Sequence, residues 1–410
     1  MLTCLLAIVG LSGHQRADVS LLPNNAQTIK VSGQLSAANN VIFTVDGTKG
    51  LVASYEVTTG SGSVYSFDTN ANQILSTLEL PLGFKPTRLA ISNDNILVVS
   101  AYTELPNQIA LIITPINADG SFNQDLQKEI RLDITLPLDD QIVPDQVDLT
   151  ADGRYGIYAS KTNLVVFSLA TGEIVTQEQL VADTDLSSAF RLEGFTYSNS
   201  NQIGLIQQLN SYYYMLVYKI ADDGQLALEK RIRIAKREVI GYGSTLAFDN
   251  SGQQLYIASA NLGILSGYDV TSGKLLFRLP IEGLANGEDR ESARSLPIKL
   301  AFNPLSGRLF IQKPGHIQKP GHIAVINLAT LTVVLNADLN DILTSAVLSA
   351  NGQTAYALVG DKMARYSVDS GQMDLLQSVS PNSLSLTLDS SAALIGMTTS
   401  EGVQLVPEKK

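Results

Sequence analysis

Short apolar runs, separated by polar turns of Asp, Asn, Ser and Gly, fill the chain from about residue 28 to residue 406. Three stretches set the pattern: Leu246-Ala-Phe-Asp-Asn-Ser-Gly-Gln-Gln-Leu-Tyr-Ile-Ala258, Leu300-Ala-Phe-Asn-Pro-Leu-Ser-Gly-Arg-Leu-Phe-Ile311 and Val147-Asp-Leu-Thr-Ala-Asp-Gly-Arg-Tyr-Gly-Ile-Tyr-Ala159. Each reads as a strand, a tight turn and a second strand, the signature of a β-hairpin. A third strand follows in each, as in Leu164-Val-Val-Phe-Ser168, and a fourth closes the unit, as in Leu275-Leu-Phe-Arg-Leu279.

The unit recurs about every 40 to 58 residues, with its first turn near Gly47, Asn95, Gly153, Asn201, Gly252, Gly307, Gly352 and Ser391. Four-stranded meanders at this period predict an all-β fold, a β-propeller of eight antiparallel blades, with seven blades as the alternative if one irregular unit is only an extension. The last unit runs out before its fourth strand, and Thr28-Ile-Lys-Val-Ser-Gly33 precedes the first. Pairing these two ends closes the ring and removes its exposed edges.

The strand Leu255-Tyr-Ile-Ala258, the Asp/Asn-x-Gly turns and the strand Val325-Ile-Asn-Leu-Ala-Thr330 resemble the YVTN-type repeats of bacterial propellers in the lactonase and quinoprotein-like group. The resemblance spans roughly residues 28 to 406 and implies the fold, with little to say about activity. The chain holds no Trp, which argues against WD40 repeats.

The first residues, Met1 to Gly13, are apolar and end in small residues, as a secretory signal does. They predict a signal peptide or disordered N-terminus over residues 1–20, a single propeller domain over 21–410, and export to the periplasm, cell surface or exterior. No later segment approaches the ~20 apolar residues of a membrane span. The formal net charge of −11 disfavours nucleic acid as a partner. A single cysteine, Cys4, and three histidines, His14, His316 and His322, leave little for metal or Cys–His chemistry, and no cofactor or metal is expected.

Candidate chemistry therefore rests on position. The residue entering each innermost strand should point into the channel mouth, and these are Asn40, Arg88, Gln146, Leu192, Thr245, Lys299, Ser345 and Ser383, nearly all polar. Residues 311–322 write Ile-Gln-Lys-Pro-Gly-His twice, placing Lys313, His316, Lys319 and His322 in a loop expected beside the channel, with Arg290, Glu291 and Arg294 nearby. Arg88, Gln146, Thr245, Arg290, Lys299, Lys313 and His316 are the candidate ligand-binding set. Three other motifs read as ordinary structure. Asp68 to Glu79 has calcium-loop spacing but Gln73 in place of the needed Gly, Gly267 to Lys274 falls short of a phosphate loop, and Tyr212-Tyr-Tyr214 fits strand packing. No catalytic constellation stands out. The expectation is a binding propeller for a protein, peptide or glycan, with a lactonase-like hydrolase at the channel mouth as the alternative.

Overall fold

The computed structural model describes residues 28–35, 41–105, 108–133, 146–160, 163–180, 191–198, 200–209, 212–236, 245–259, 262–285, 298–315, 320–339, 341–379, 383–389, 394–400 and 402–407. The expected signal segment therefore lies outside the described residues. No helix among them is long and apolar enough to cross a membrane.

Eight four-stranded antiparallel sheets follow one another along the chain, so the expected eight blades are present rather than seven. The innermost strands are Ile42–Phe43, Lys85–Ile91, Gln146–Leu149, Arg191–Tyr197, Thr245–Phe248, Lys299–Asn303, Leu343–Leu348 and Ser385–Leu388, here blades 1 to 8.

One turn chemistry makes the first hairpin of several blades. In blade 3, Thr150 Oγ1 donates to Asp152 Oδ1 at 2.7 Å, the same oxygen accepts the Arg154 N–H at 3.1 Å, and Gly153 N–H returns to Thr150 O at 2.9 Å. Blade 1 repeats this with Thr44, Asp46 and Gly47, and blade 7 with Ser349, Asn351 and Gly352. The position after this Asp or Asn is left-handed: φ is 68° at Gly153 and 71° at Gly352. Asn95 and Asn201 fill it in blades 2 and 4 at 59° and 58°, as only Gly and Asn do readily.

The core lies between blades, in apolar clusters that each join neighbouring sheets. A second recurrent device packs it: Gly50 pairs with Phe67, and Gly156 with Phe167, on adjacent strands. A Cβ on either glycine would come within 2.2 Å or 2.1 Å of the ring's Cζ, so the missing side chain is the seat of the ring.

Ring closure uses both termini, with a shorter N-terminal strand than Thr28 to Gly33. Thr28–Ile29 pairs with the strand Gly402–Pro407, in register Thr28 to Gln404 and Ile29 to Val403. The chain then leaves blade 8. Gln34 bridges to Tyr55 on the second strand of blade 1, its N–H reaching Tyr55 O at 2.8 Å, and Ser54 Oγ donates to Ser32 O at 2.5 Å. Residues 28–34 thus tie the last blade to the first.

The remaining motifs are structural. Asp68 Oδ1 accepts the N–H groups of Asn70 and Ala71, at 2.8 and 2.7 Å, in a hairpin turn, and Asp269 does likewise for Ser272. Tyr213 is buried in the core of blade 4, while Arg233 stands 4.9 Å over the Tyr212 ring and Arg231 6.0 Å over Tyr214.

Candidate functional site

Each inner strand presents alternate residues to the blade cores and to the channel. Leu89 and Ile91 of blade 2, Val147 and Leu149 of blade 3, and Leu300 and Phe302 of blade 6 pack into the inter-blade clusters. The residues between and before them turn toward the channel and form two levels. Cross-strand register defines the level nearer the mouth: Arg88 opposite Ser100, Gln146 opposite Ala159, Thr245 opposite Ala258, Lys299 opposite Gln312 and Ser345 opposite Leu358.

Two expected mouth positions move. A register shift between Leu192 and Gly194 adds a residue to blade 4, so Gly194, opposite Ile206, takes the place expected of Leu192. In blade 8 the equivalent is Ser385, opposite Thr398, two residues beyond Ser383. Asn40, Arg290, Glu291, Arg294, His316 and Lys319 lie outside the described residues.

The mouth level carries two described cations, and they belong to opposite blades. Arg88 stands on blade 2 and Lys299 on blade 6 of the eight-membered ring. Lys299 is open to channel water yet ringed by protein. That partial desolvation, and next the charge of Arg88, hold its ammonium below the usual lysine pKa. Gln146 and Thr245 are half-buried between them. Ser345 instead serves the scaffold, its Oγ accepting the Leu386 N–H of blade 8 at 3.0 Å.

Lys313 and His322 are corrections. Lys313 ends the second strand of blade 6 and is only 8% exposed, its Nζ donating to Gly283 O at 2.9 Å and Ala285 O at 3.1 Å. The ammonium ties down the 283–285 segment rather than facing the channel. His322, opposite Lys313, is 1% exposed, with Nδ1 at 2.8 Å from Asp338 Oδ1. Burial lowers its pKa, against the raising effect of Asp338. It reaches no solvent-filled space from which to act as an acid or base.

The deeper level holds a residue that sequence reasoning missed. Asp148 lies two positions below Gln146, where other blades place Ala90, Thr196, Ala247, Ala301, Val347 and Thr387. It is the one charged residue of its level among the described residues. Its Oδ1 accepts the Leu149 N–H at 2.9 Å, and desolvation pushes its carboxyl up to about 6 despite that bond. It lines a cavity of about 410 Å³ with Leu89, Ala90, Asn93, Thr150 and Ala151. The available signal was an acid breaking a run of small residues at one strand position. Among the described residues no three His, Cys, Asp or Glu side chains gather as a metal set.

No family model matches the chain, and no curated protein matches it. Solved structures do. The Dos1 propeller aligns with a TM-score of 0.62 at 11% identity, covering 93% of this chain and 94% of the other. A structural-genomics protein from Lactobacillus plantarum aligns at 0.54 and 14%, covering 88% and 99%, and a chain of the mitotic checkpoint complex at 0.50 and 13%, covering 100% and 99%. At such identities the likeness is one of fold.

Proposed function

We propose that this chain is an exported, non-enzymatic binding propeller whose channel mouth receives an anionic group of a protein, peptide or glycan. One observation carries the reading: strand register sets Arg88 and Lys299 at the same mouth level, on opposite blades of an otherwise acidic protein. Lys299 is an ammonium set among protein groups that desolvate it, and a bound anion would offset that desolvation. A rigid ring presenting a central site suits a scaffold, and one similar propeller chain comes from a protein complex. The apolar segment Met1 to Gly13 supports export. The hydrolase alternative gains no comparable support, because His322 is buried against Asp338.

The test is calorimetric titration with a blocked oligoglutamate peptide and with oligogalacturonate. Binding of either that weakens about tenfold or more in Arg88→Ala and in Lys299→Ala, and falls with salt, is the expected result. Binding indifferent to both substitutions, or none by the intact protein, overturns it.

A further inference from the structure

The outer rim of blade 4 carries charge against the sign of the molecule. Five of the chain's 28 lysines and arginines fall in residues 230–237, Lys-Arg-Ile-Arg-Ile-Ala-Lys-Arg, with no acid among them, in a protein of net charge −11. All but Arg237 belong to the outermost strand, Leu226–Lys236, whose outer edge meets no strand among the described residues.

Strand geometry sets two of these cations side by side. Tyr214, Leu216 and Tyr218 of the neighbouring strand pack toward blade 3. Arg233 lies opposite Tyr214 and Arg231 opposite Leu216, so both side chains take that face. Each guanidinium then sits over the diagonal tyrosine, Arg233 at 4.9 Å over Tyr212 and Arg231 at 6.0 Å over Tyr214. The rings are half-buried and the arginines exposed, so a fixed aromatic floor holds two planar cations in water. The acids at hand are engaged elsewhere: Glu178 of blade 3 accepts the Tyr218 hydroxyl at 3.0 Å, and Glu229 accepts from Gln202 Nε2 at 3.4 Å. Among the described residues no carboxylate forms an ion pair with Arg231 or Arg233.

Protection of the sheet edge does not account for this. Charges and bulges keep outer strands from pairing with other chains, and bulges at Glu229 and Ile234 flank residues 230–233. Yet the outermost strands Gln73–Glu79, Ile174–Gln179, Thr332–Asp338 and Met373–Ser378 hold no lysine or arginine. The regular edge between the two bulges is too short for strand addition, so recognition falls to the side chains.

We propose that the rim of blade 4 docks an acidic peptide segment of a partner protein, with two carboxylates at i and i+2 of an extended chain meeting Arg231 and Arg233. Alternate residues of an extended chain lie about 6.6 Å apart on both sides of such a contact, and a guanidinium takes a carboxylate bidentately. A short acidic segment fits better than a long polyanion, because the net charge of −11 repels whatever extends beyond the patch. This site is separate from the channel mouth and does not depend on it.

The test is fluorescence anisotropy of the intact protein with a labelled, blocked peptide of four Thr-Glu repeats. Its isomer of two Thr-Thr-Glu-Glu repeats, which has no i, i+2 acid pair, and a heparin oligosaccharide are the comparison ligands. The alternating peptide is expected to bind at least about threefold tighter than the isomer, and at least about tenfold weaker when Arg231→Gln and Arg233→Gln are combined. Its affinity should fall with salt and stay unchanged in Arg88→Ala and Lys299→Ala. Combining Arg231→Glu with Arg233→Glu should pass the preference to a peptide of four Thr-Lys repeats, a gain that unfolding cannot produce. Affinity indifferent to Arg231 and Arg233, equal affinity for the two isomers, binding of heparin alone, or no binding at all would overturn the proposal. Binding lost only in Arg88→Ala and Lys299→Ala would overturn it too, and would leave the anionic mouth standing.

Discussion

Gln404 Nε2 donates to Thr28 Oγ1 at 3.1 Å, joining residues 376 positions apart in the chain. Beside them Ile29, 4% exposed, packs with Val403, Leu405, Val52 and Phe67 from blades 8 and 1. Few backbone pairs hold this strand, so the apolar anchor carries the closure. Ile29→Ala is expected to cost about 2–4 kcal/mol, and Gln404→Ala about 1 kcal/mol. Thermal melts check the ranking, and light scattering should show Ile29→Ala aggregating first, since loss of the closing strand bares the Gly402–Pro407 edge. Equal melting temperatures for the two variants would count against closure through Ile29.

The glycine seats predict a different response. Gly156→Ala puts a methyl where the Phe167 ring lies and should destabilise by about 1–3 kcal/mol through overpacking. Phe167→Leu alone leaves a void and also destabilises. Combined, the two should cost less than their sum, because each relieves the other's fault. Additive losses in a urea double-mutant cycle would refute the packing account.

Turn chemistry made the blades legible before any coordinates. Thr150, Asp152 and Gly153 hold a hairpin by contacts within a few residues, so the same letters mark the same geometry in blade after blade. Closure was legible for the same reason, through a missing fourth strand. The site was less so. Arg88 and Lys299 follow from strand register, but the bulge at Leu192 displaced one mouth position, and a bulge leaves no mark in an apolar pattern. Lys313 looked free because its acceptors, Gly283 O and Ala285 O, belong to a loop some 30 residues earlier. Asp148 is the polar letter of an alternating strand and carries no local mark of its setting. Its cost comes from neighbouring blades, which strand periodicity does not record.

That cost has a sign. Desolvation pushes the carboxyl of Asp148 up to about 6 in the folded chain, against about 3.9 for an ordinary aspartate, so the unfolded state loses its proton first as pH rises. Its contribution to stability is complete below about pH 4 and is lost between about 4 and 6. Removing the charge should therefore help at neutral pH. Asp148→Asn is expected to gain about 1–3 kcal/mol at pH 7 and nothing at pH 4, by urea unfolding at both. A variant less stable at pH 7 would mean that the ionised carboxylate has a stabilising partner.

His322 bends the pH profile the other way. Burial lowers its pKa below the ordinary imidazole value of about 6.5, with Asp338 opposing but not reversing the shift. The folded chain holds the imidazole neutral at a pH where the unfolded chain has already protonated it. Its stabilising contribution is thus present above about 6.5 and drains away as pH falls toward the lower folded value. His322→Asn removes the titrating ring, so its unfolding free energy should lack the wild-type decline below pH 6.5, even if the variant is less stable throughout. Asp338→Asn removes the one acid that favours the imidazolium and should deepen the stability loss in acid, because burial is then opposed only by the weaker contact with Asn336. NMR titration of the His322 ring in the two proteins decides it: a lower ring pKa in Asp338→Asn supports the pairing as drawn, and an unchanged one shows that the 2.8 Å contact carries no charge interaction.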